Sequence, residues 1–466
     1  MIALPATMLT ILVIVILFRL DRSEEKRGPI ALWIPFIWLL IESSRPVSAW
    51  IQNVAGNTTN SYIDGSPLDR NILTTLMALG LFFLSKKAKR IGLILKSNPA
   101  IILYFIFCLA STIWAEYPMV VLKRWIRSVG DVEMLMIVIT QEDRLGAFKR
   151  IFTRVGYLVV PLSILLIRFY PQWGRFYSRG GAPEWTGVGT DKNALGMICM
   201  LYGIVFLWRW LELYSVQKKS KKQKRSMIAL GSALTMIAYL LLIADSQTAL
   251  ACFAMASALV IVTAWSAKWT KPVPLSAMVA GMIGLSYCVL IARIGTWLLT
   301  LLGRNPTLTG RTAVWDTLLA NAVNPWIGAG YEDYWIGPRL EMFNQLLGGL
   351  NQAHNGYIEI YLNMGFVGLA FLALVILTGY RNILWELRRD KLVARLKMAF
   401  FVICLIYNFT EASFKMMSPV WFTFLWASMM VPYPRQVQAR AGSSAGKSGM
   451  GKERSGLTTE ERAVAV

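Results

Sequence analysis

The chain has 466 residues, 56% of them hydrophobic, and a mean hydropathy of +0.50; water-soluble domains use roughly 45–50% apolar residues, so a soluble globule is excluded. A net charge of +22 would invite a nucleic-acid reading in a soluble protein. Its placement argues otherwise: the basic residues gather in short clusters between apolar runs, at 86–90, 149–154, 218–225, 268–271 and 381–397, the pattern of cytoplasmic loops in a multi-pass membrane protein.

The first apolar run, 2–18, ends at Arg19 without a small-residue cleavage site, which predicts a retained helix rather than a removed signal. Further runs at 30–49, 71–84, 99–114, 128–140, 152–169, 194–214, 227–244, 249–265, 275–302, 356–380, 398–413 and 416–432 approach the roughly 17–25 residues that cross a bilayer core. The expected fold class is all-α, a polytopic membrane helix bundle of about 12–13 transmembrane helices, with one of the shorter runs a candidate for re-entry. The expected organisation is transmembrane helices with short loops over 1–302, an outer-face functional loop over 303–355, C-terminal transmembrane helices over 356–433 and a Gly/Ser-rich disordered tail over 434–466. Placing the 218–225 cluster in the cytoplasm puts 50–70, 115–127, 170–193, 245–248, 303–355 and the turn near Glu411 on the outer side. The five cysteines, Cys108, Cys199, Cys252, Cys288 and Cys404, lie in or beside apolar runs without CxxC spacing, so neither a disulfide framework nor a zinc site is indicated.

Most of the polar chemistry falls on that outer side. The 303–355 segment opens Gly-Arg304-Asn-Pro-Thr-Leu-Thr-Gly-Arg311-Thr-Ala-Val-Trp315. Arginine is disfavoured on an outer face, so Arg304 and Arg311 are candidates for bidentate contacts with phosphate oxygens; snorkelling to lipid headgroups is the alternative. The segment closes on Gln352-Ala-His354-Asn355, followed by Glu359. A lone histidine is as readily structural as catalytic, yet an imidazole with polar flanks at the edge of a membrane suits general-base work near neutral pH. Trp114-Ala-Glu116-Tyr117-Pro118 precedes Lys123, Arg124, Trp125 and Arg127, which form either an interfacial helix or further phosphate ligands. Asp191-Lys192-Asn193 leads into a span, where Lys192 and Asn193 at a helix start can face an anion beside the backbone N–H groups. Asp245-Ser246-Gln247-Thr248 and Asn408-Phe-Thr-Glu411 are polar turns between spans, and ionisable groups at such depth are usually functional or paired. There is no phosphate-cradling GxxxxGK[ST] loop, dinucleotide fingerprint or metal-ligand cluster, so the expectation is no cofactor, no metal and no nucleic acid.

Taken together, these residues resemble the signature region of the bacterial O-antigen ligase and polymerase superfamily. The resemblance is carried by Thr309-Gly310-Arg311-Thr312 with Trp315, by Asn324-Pro325 with Gly328-Ala-Gly330-Tyr331, by Ala353-His354-Asn355-Gly356-Tyr357-Ile-Glu359, and by Met364-Gly365-Phe-Val-Gly368. The 114–118, 191–196 and 408–413 segments are most similar to its exopolysaccharide-polymerase branch. The resemblance implies an inner-membrane glycosyltransferase of the C-type class that polymerises polyprenyl-diphosphate-linked oligosaccharide repeat units into exopolysaccharide or O-antigen on the periplasmic face, inverting and metal-independent. The alternatives are an O-antigen ligase moving glycan onto lipid A core and, behind it, a lipid-linked sugar transporter. Implied partners are the polyprenyl-diphosphate-linked donor and acceptor, membrane lipid, and chain-length copolymerase or export proteins. Carried over residue by residue, His354 and Arg311 are the catalytic pair, Arg304, Lys192, Arg127 and Arg124 bind the diphosphate, and Asn355, Glu359, Trp315 and Glu411 support them. Many ligases have Ser-Arg in the turn between paired spans; here it is Ser246-Gln247, which leaves the second cationic clamp open.

Overall fold

The computed structural model describes residues 3–21, 28–52, 65–177, 183–290, 311–347 and 351–432. Over these residues the chain is an all-α bundle, with one small antiparallel hairpin pairing Arg175–Tyr177 with Pro183–Trp185. Each apolar run expected to cross the membrane contains a helix. Among the described residues seven helices are long and apolar enough to span unaided: Ala3–Leu20, Pro67–Ser85, Arg144–Phe169, Lys192–Tyr214, Lys221–Ala244, Gln247–Trp265 and Gly356–Leu387. Ala88–Lys96 and Pro99–Ile113 reach that standard only together, and they are bent by 92°. The other expected runs form the shorter Trp33–Glu42, Lys391–Tyr407 and Pro419–Ser428, the more charged Pro118–Ile139, and Pro272–Leu290, whose run continues beyond the described residues. The expected disordered tail also lies outside them.

Local chemistry sets these boundaries. Pro67, Pro99, Pro118 and Pro419 each open a helix, where a fixed φ is pre-organised and the missing N–H has no partner to lose. Pro118 therefore starts its helix ten residues before the apolar run at 128, so 115–127 is largely the opening of Pro118–Ile139 and not a loop. The 30–49 run is divided at Ser43-Ser44-Arg45-Pro46, and the Arg45 Nε there donates to the Gly189 carbonyl at 2.8 Å.

The most deeply buried helices are Arg144–Phe169, Lys192–Tyr214, Lys391–Tyr407 and Pro419–Ser428. Aromatic stacking knits them: Phe148 lies 4.0 Å from Trp426 and 4.2 Å from Phe152 between ring centroids. Ala3–Leu20 by contrast exposes Leu4, Met8, Leu9, Ile11 and Leu12, as a helix apolar all round does when it faces lipid. The basic clusters lie at one end of the bundle, tied by Arg209–Asp21 at 2.8 Å and Lys149–Glu212 at 2.6 Å. The opposite end holds the turn after Tyr407 and the start of Lys192–Tyr214, joined by Asn193 Nδ2 donating to Glu411 Oε1 at 3.0 Å.

Gly356–Leu387 is interrupted at Gly365, whose backbone (φ 64°, ψ −164°) belongs to glycine alone. A break inside an apolar helix strands peptide groups that lipid cannot satisfy. Here the 324–330 segment satisfies them: Phe366 and Val367 N–H donate to the Pro325 and Trp326 carbonyls at 2.8 and 3.0 Å, while Ala329 and Gly330 N–H donate to those of Leu362 and Asn363 at 3.1 and 2.7 Å. The fit is tight, since a Cβ on Gly365 would stand 2.2 Å from the Trp326 carbonyl carbon. Gly365→Ala is expected to destabilise the protein by about 3 kcal/mol or more, combining backbone strain with a main-chain clash. Thermal denaturation of detergent-purified protein should show the loss, with Gly281→Ala, which has open space around it, behaving as wild type.

The 303–355 segment, expected as one functional loop, is itself built where described. Arg311–Ala320 and Pro338–Leu347 are short helices, and Leu318, Tyr334, Trp335, Leu340 and Phe343 form a small core separate from that of the bundle. The Trp114-Ala-Glu-Tyr-Pro stretch docks this lobe on the bundle: Trp114 Nε1 donates to the Ile327 carbonyl at 3.2 Å, and the Glu116 N–H donates to Asp333 at 3.0 Å. Burial pushes the Asp333 carboxyl above its ordinary value, against the pull of that N–H and of Arg339.

Candidate functional site

The turn after Lys391–Tyr407 is shaped by one side chain. Asn408 Oδ1 accepts the N–H groups of Ser413 and Phe414 at 2.8 and 3.1 Å, and its carbonyl accepts the Gly356 N–H at 2.8 Å. This places Glu411, only 5% exposed, beside the loop that carries His354. The Glu411 carboxylate is a junction. Oε1 accepts from Arg311 Nη2 at 3.2 Å and from Asn193 Nδ2 at 3.0 Å, and Oε2 lies 3.2 Å from His354 Nδ1. Arg311 Nη1 donates to the Thr410 carbonyl next door. Ser246 Oγ donates to Asn193 Oδ1 at 3.2 Å, and the Thr248 and Thr410 hydroxyls meet at 2.7 Å. Arg311 and His354 side chains each keep 22% of their surface exposed, so the buried carboxylate holds two groups that still reach the outside.

His354 is held in the left-handed region at φ 49°, a conformation that costs a non-glycine residue roughly 1–2 kcal/mol. Both flanks are pinned. Trp315 Nε1 donates to the Ala353 carbonyl at 2.8 Å, and the Ala353 N–H donates to Glu359 Oε2 at 3.0 Å. Trp335 Nε1 donates to Glu359 Oε1 at 2.6 Å. On the other side Asn355 caps Gly356–Leu387 by accepting the Tyr357 and Ile358 N–H groups, and its Nδ2 donates to the Phe409 carbonyl at 3.1 Å. Trp315, Asn355 and Glu359 thus act on the backbone around the imidazole. Trp315→Phe is expected to cost about 1 kcal/mol for the lost hydrogen bond plus the smaller ring, read as a modest fall in thermal midpoint. With its Nδ1–H directed at a carboxylate, the imidazole presents Nε2 as its basic nitrogen.

The remaining cations fall elsewhere. Lys192 opens Lys192–Tyr214, which Asp191 caps by accepting the Asn193 and Ala194 N–H groups at 2.9 Å, and its ammonium pairs with Glu184 of the hairpin at 3.4 Å. Its neighbour Asn193, not Lys192, reaches Glu411. Arg124 donates to the Glu332 carbonyl, and Arg127 lines a cavity of about 560 Å³ with Ser48, Asp69 and Met417. Arg304 lies outside the described residues. Sequence reading placed Thr248 and Thr410 in polar turns without giving them a site role, and it took Lys192 rather than Asn193 as the site residue. The available signal was the helix-capping Asp191, which fixes the direction in which the first turn presents its side chains.

Residues 231–373 match a family model described as O-antigen ligase, a stretch that contains Arg311, His354 and the break at Gly365. The resemblance read from the motifs is borne out. The chain is also 27% identical over 292 residues to the exopolysaccharide production protein ExoQ of Rhizobium meliloti (strain 1021), covering 59% of this chain and 63% of that protein. It therefore matches just under two thirds of the relative's length. The chain is thus a multi-pass α-helical bundle with a stretch similar to an O-antigen ligase model and with similarity to an exopolysaccharide production protein.

Proposed function

We propose that the Glu411 junction is the reaction centre of a glycosyltransferase that polymerises polyprenyl-diphosphate-linked oligosaccharide units on the outer, periplasmic face of the inner membrane. The observation that carries this reading is that Arg311 and His354, from separate segments within the ligase-like region, meet on one buried carboxylate at the end of the bundle opposite the basic loops. Positive charge marks the cytoplasmic side, so the junction faces outward.

The arrangement suits a single displacement. An acceptor hydroxyl oxygen attacks the anomeric carbon of the donor, and the bond from that carbon to the diphosphate oxygen breaks as the new glycosidic bond forms, inverting the centre. The hydroxyl proton passes to His354 Nε2. Glu411 fixes the tautomer and faces the resulting imidazolium. The polyprenyl diphosphate leaves with the electron pair of the broken bond, and Arg311 offsets its growing charge through a preorganised guanidinium. Thr410 and Glu411 engage two of that group's five N–H donors, so others can face phosphate. Lys192, Arg124 and Arg127 are proposed to draw the anionic donor to this face rather than to contact the breaking bond, and Arg304 is proposed as a further diphosphate ligand.

A ligase differs only in its acceptor, and the O-antigen ligase description of the matching model favours keeping it as the second reading. Transporters place interrupted helices around an ion or substrate at mid-membrane. The interruption at Gly365 is filled by the 324–330 backbone, which speaks against that use. The deciding experiment sizes surface and secreted polysaccharide on gels for wild type, a deletion and His354→Ala at matched membrane levels. Single repeat units in both mutants support polymerisation, long chains stranded on the polyprenyl carrier indicate ligation, and unit-linked carrier trapped on the inner leaflet indicates transport.

A further inference from the structure

The basic end of the bundle carries a second site. A cavity of about 1080 Å³ opens there between the Lys86–Lys87 turn with Ala88–Lys96 on one side and the end of Pro118–Ile139 and the start of Arg144–Phe169 on the other. Lys86, Lys87, Lys89, Arg90 and Arg150 line it, against two carboxylates, Glu142 and Asp143. One of these is already engaged: Asp143 accepts the Gly146 N–H at 2.8 Å and lies 3.7 Å from Arg150.

Two features separate this cavity from an ordinary basic loop. Two of its cations are fixed in place: Lys87 Nζ and Arg90 Nη1 both donate to the Thr140 carbonyl, at 3.0 and 3.1 Å, and Lys87 also reaches Gln141 Oε1 at 3.3 Å. Thr140 caps the C-terminus of Pro118–Ile139, where orphan carbonyls and the helix dipole favour positive charge. Ala88–Lys96, moreover, does not point through the bundle. It turns 92° from Pro99–Ile113 and leaves Leu93 and Leu95 exposed, at 59% and 36%, beside the basic rim. Leu93 stands one turn from Lys89 and Arg90, so an exposed apolar side chain sits directly beside the basic rim, as on a helix lying at the headgroup boundary. Burial and the neighbouring Arg90 hold the Lys87 ammonium below its ordinary value, an opposition that a bound anion relieves.

We propose that this cavity binds the phosphodiester headgroup of an anionic phospholipid in the leaflet on the basic side of the bundle, with an acyl chain lying along the exposed Leu93. A soluble phosphate shares the headgroup chemistry but gains nothing from Leu93; the exposed apolar side chain favours the lipid. The site is separate from the Glu411 junction and does not depend on the reaction assigned there.

The test uses the full-length protein purified in a zwitterionic detergent. Short-chain phosphatidylglycerol, phosphatidylcholine of the same chain length, and glycerol 3-phosphate are titrated in turn, and the shift in thermal midpoint is read. Phosphatidylglycerol should raise the midpoint while the other two do not. Lys86→Gln with Lys89→Gln should weaken the apparent affinity by roughly tenfold or more, at about 1 kcal/mol per lysine near an anionic surface. Lys268→Gln with Lys271→Gln, in another basic cluster, should leave it unchanged. Equal shifts with phosphatidylcholine, an unaltered response in the 86/89 variant, or an equal loss in the 268/271 variant each overturn the proposal. A glycerol 3-phosphate response equal to that of the lipid replaces it with a soluble-anion site.

Discussion

Arg311→Ala is expected to abolish long polymer, with a fall in transfer rate of at least roughly 10²-fold, the usual loss when one preorganised charge donor is removed. The effect is large because the guanidinium does two jobs at once. It brings a positive charge onto the carboxylate that also holds the His354 imidazole, and it bonds both the Thr410 carbonyl and the Glu411 carboxylate, fixing the turn that carries the carboxylate. Arg311→Lys separates the two jobs: a lysine keeps the charge but cannot span Thr410 and Glu411 with one planar fork. It should restore part of the activity and little of the order in the turn. Polymer of normal length from Arg311→Ala, at wild-type membrane level, removes Arg311 from the reaction.

The second large effect is expected at the His354–Glu411 pair. Losing a general base typically costs 10²–10⁴-fold, and His354→Ala should fall in that range. His354→Asn is the better companion, because asparagine tolerates the left-handed backbone at this position and keeps a polar side chain while lacking a basic nitrogen. Glu411→Gln is nearly isosteric, yet its amide can donate to Nδ1 and so stabilise the tautomer whose Nε2 already carries a proton, the wrong one for accepting another. Its activity should drop nearly as far as that of His354→Ala while the protein still elutes as a single folded species. A fully active Glu411→Gln enzyme would falsify the tautomer-holding role.

Arg311 and His354 were legible because their chemistry is local in sequence: an arginine and a solitary histidine at the wrong face of the membrane attract attention wherever they pack. Glu411 was legible only as a polar residue at helix depth, since nothing in the chain order says that it reaches 218 residues back to Asn193. Arg124 and Arg127 were grouped with Arg311 by charge, but they stand on Pro118–Ile139 and find other neighbours. The break at Gly365 was invisible because the 356–380 run is apolar enough overall to read as one span, and hydropathy records length without recording direction. Hydropathy likewise marked the 99–114 run without recording that its helix reaches spanning length only together with Ala88–Lys96, from which it is bent by 92°. Hydropathy did locate the helices, because exposing apolar surface or unpaired peptide groups is what the membrane forbids.

The order in which the junction's residues occur has a consequence for biogenesis. Asn193, Ser246, Arg311, His354 and Glu411 are synthesised in that order, Arg311 and His354 on the one segment that precedes Gly356–Leu387, and the carboxylate that joins them comes last. Until Lys391–Tyr407 is inserted, the partly buried Arg311 and Asn193 lack their shared acceptor, a costly state for polar groups at this depth. A chain stalled at that stage is therefore expected to be poorly packed at the junction, whatever the state of the helices already inserted.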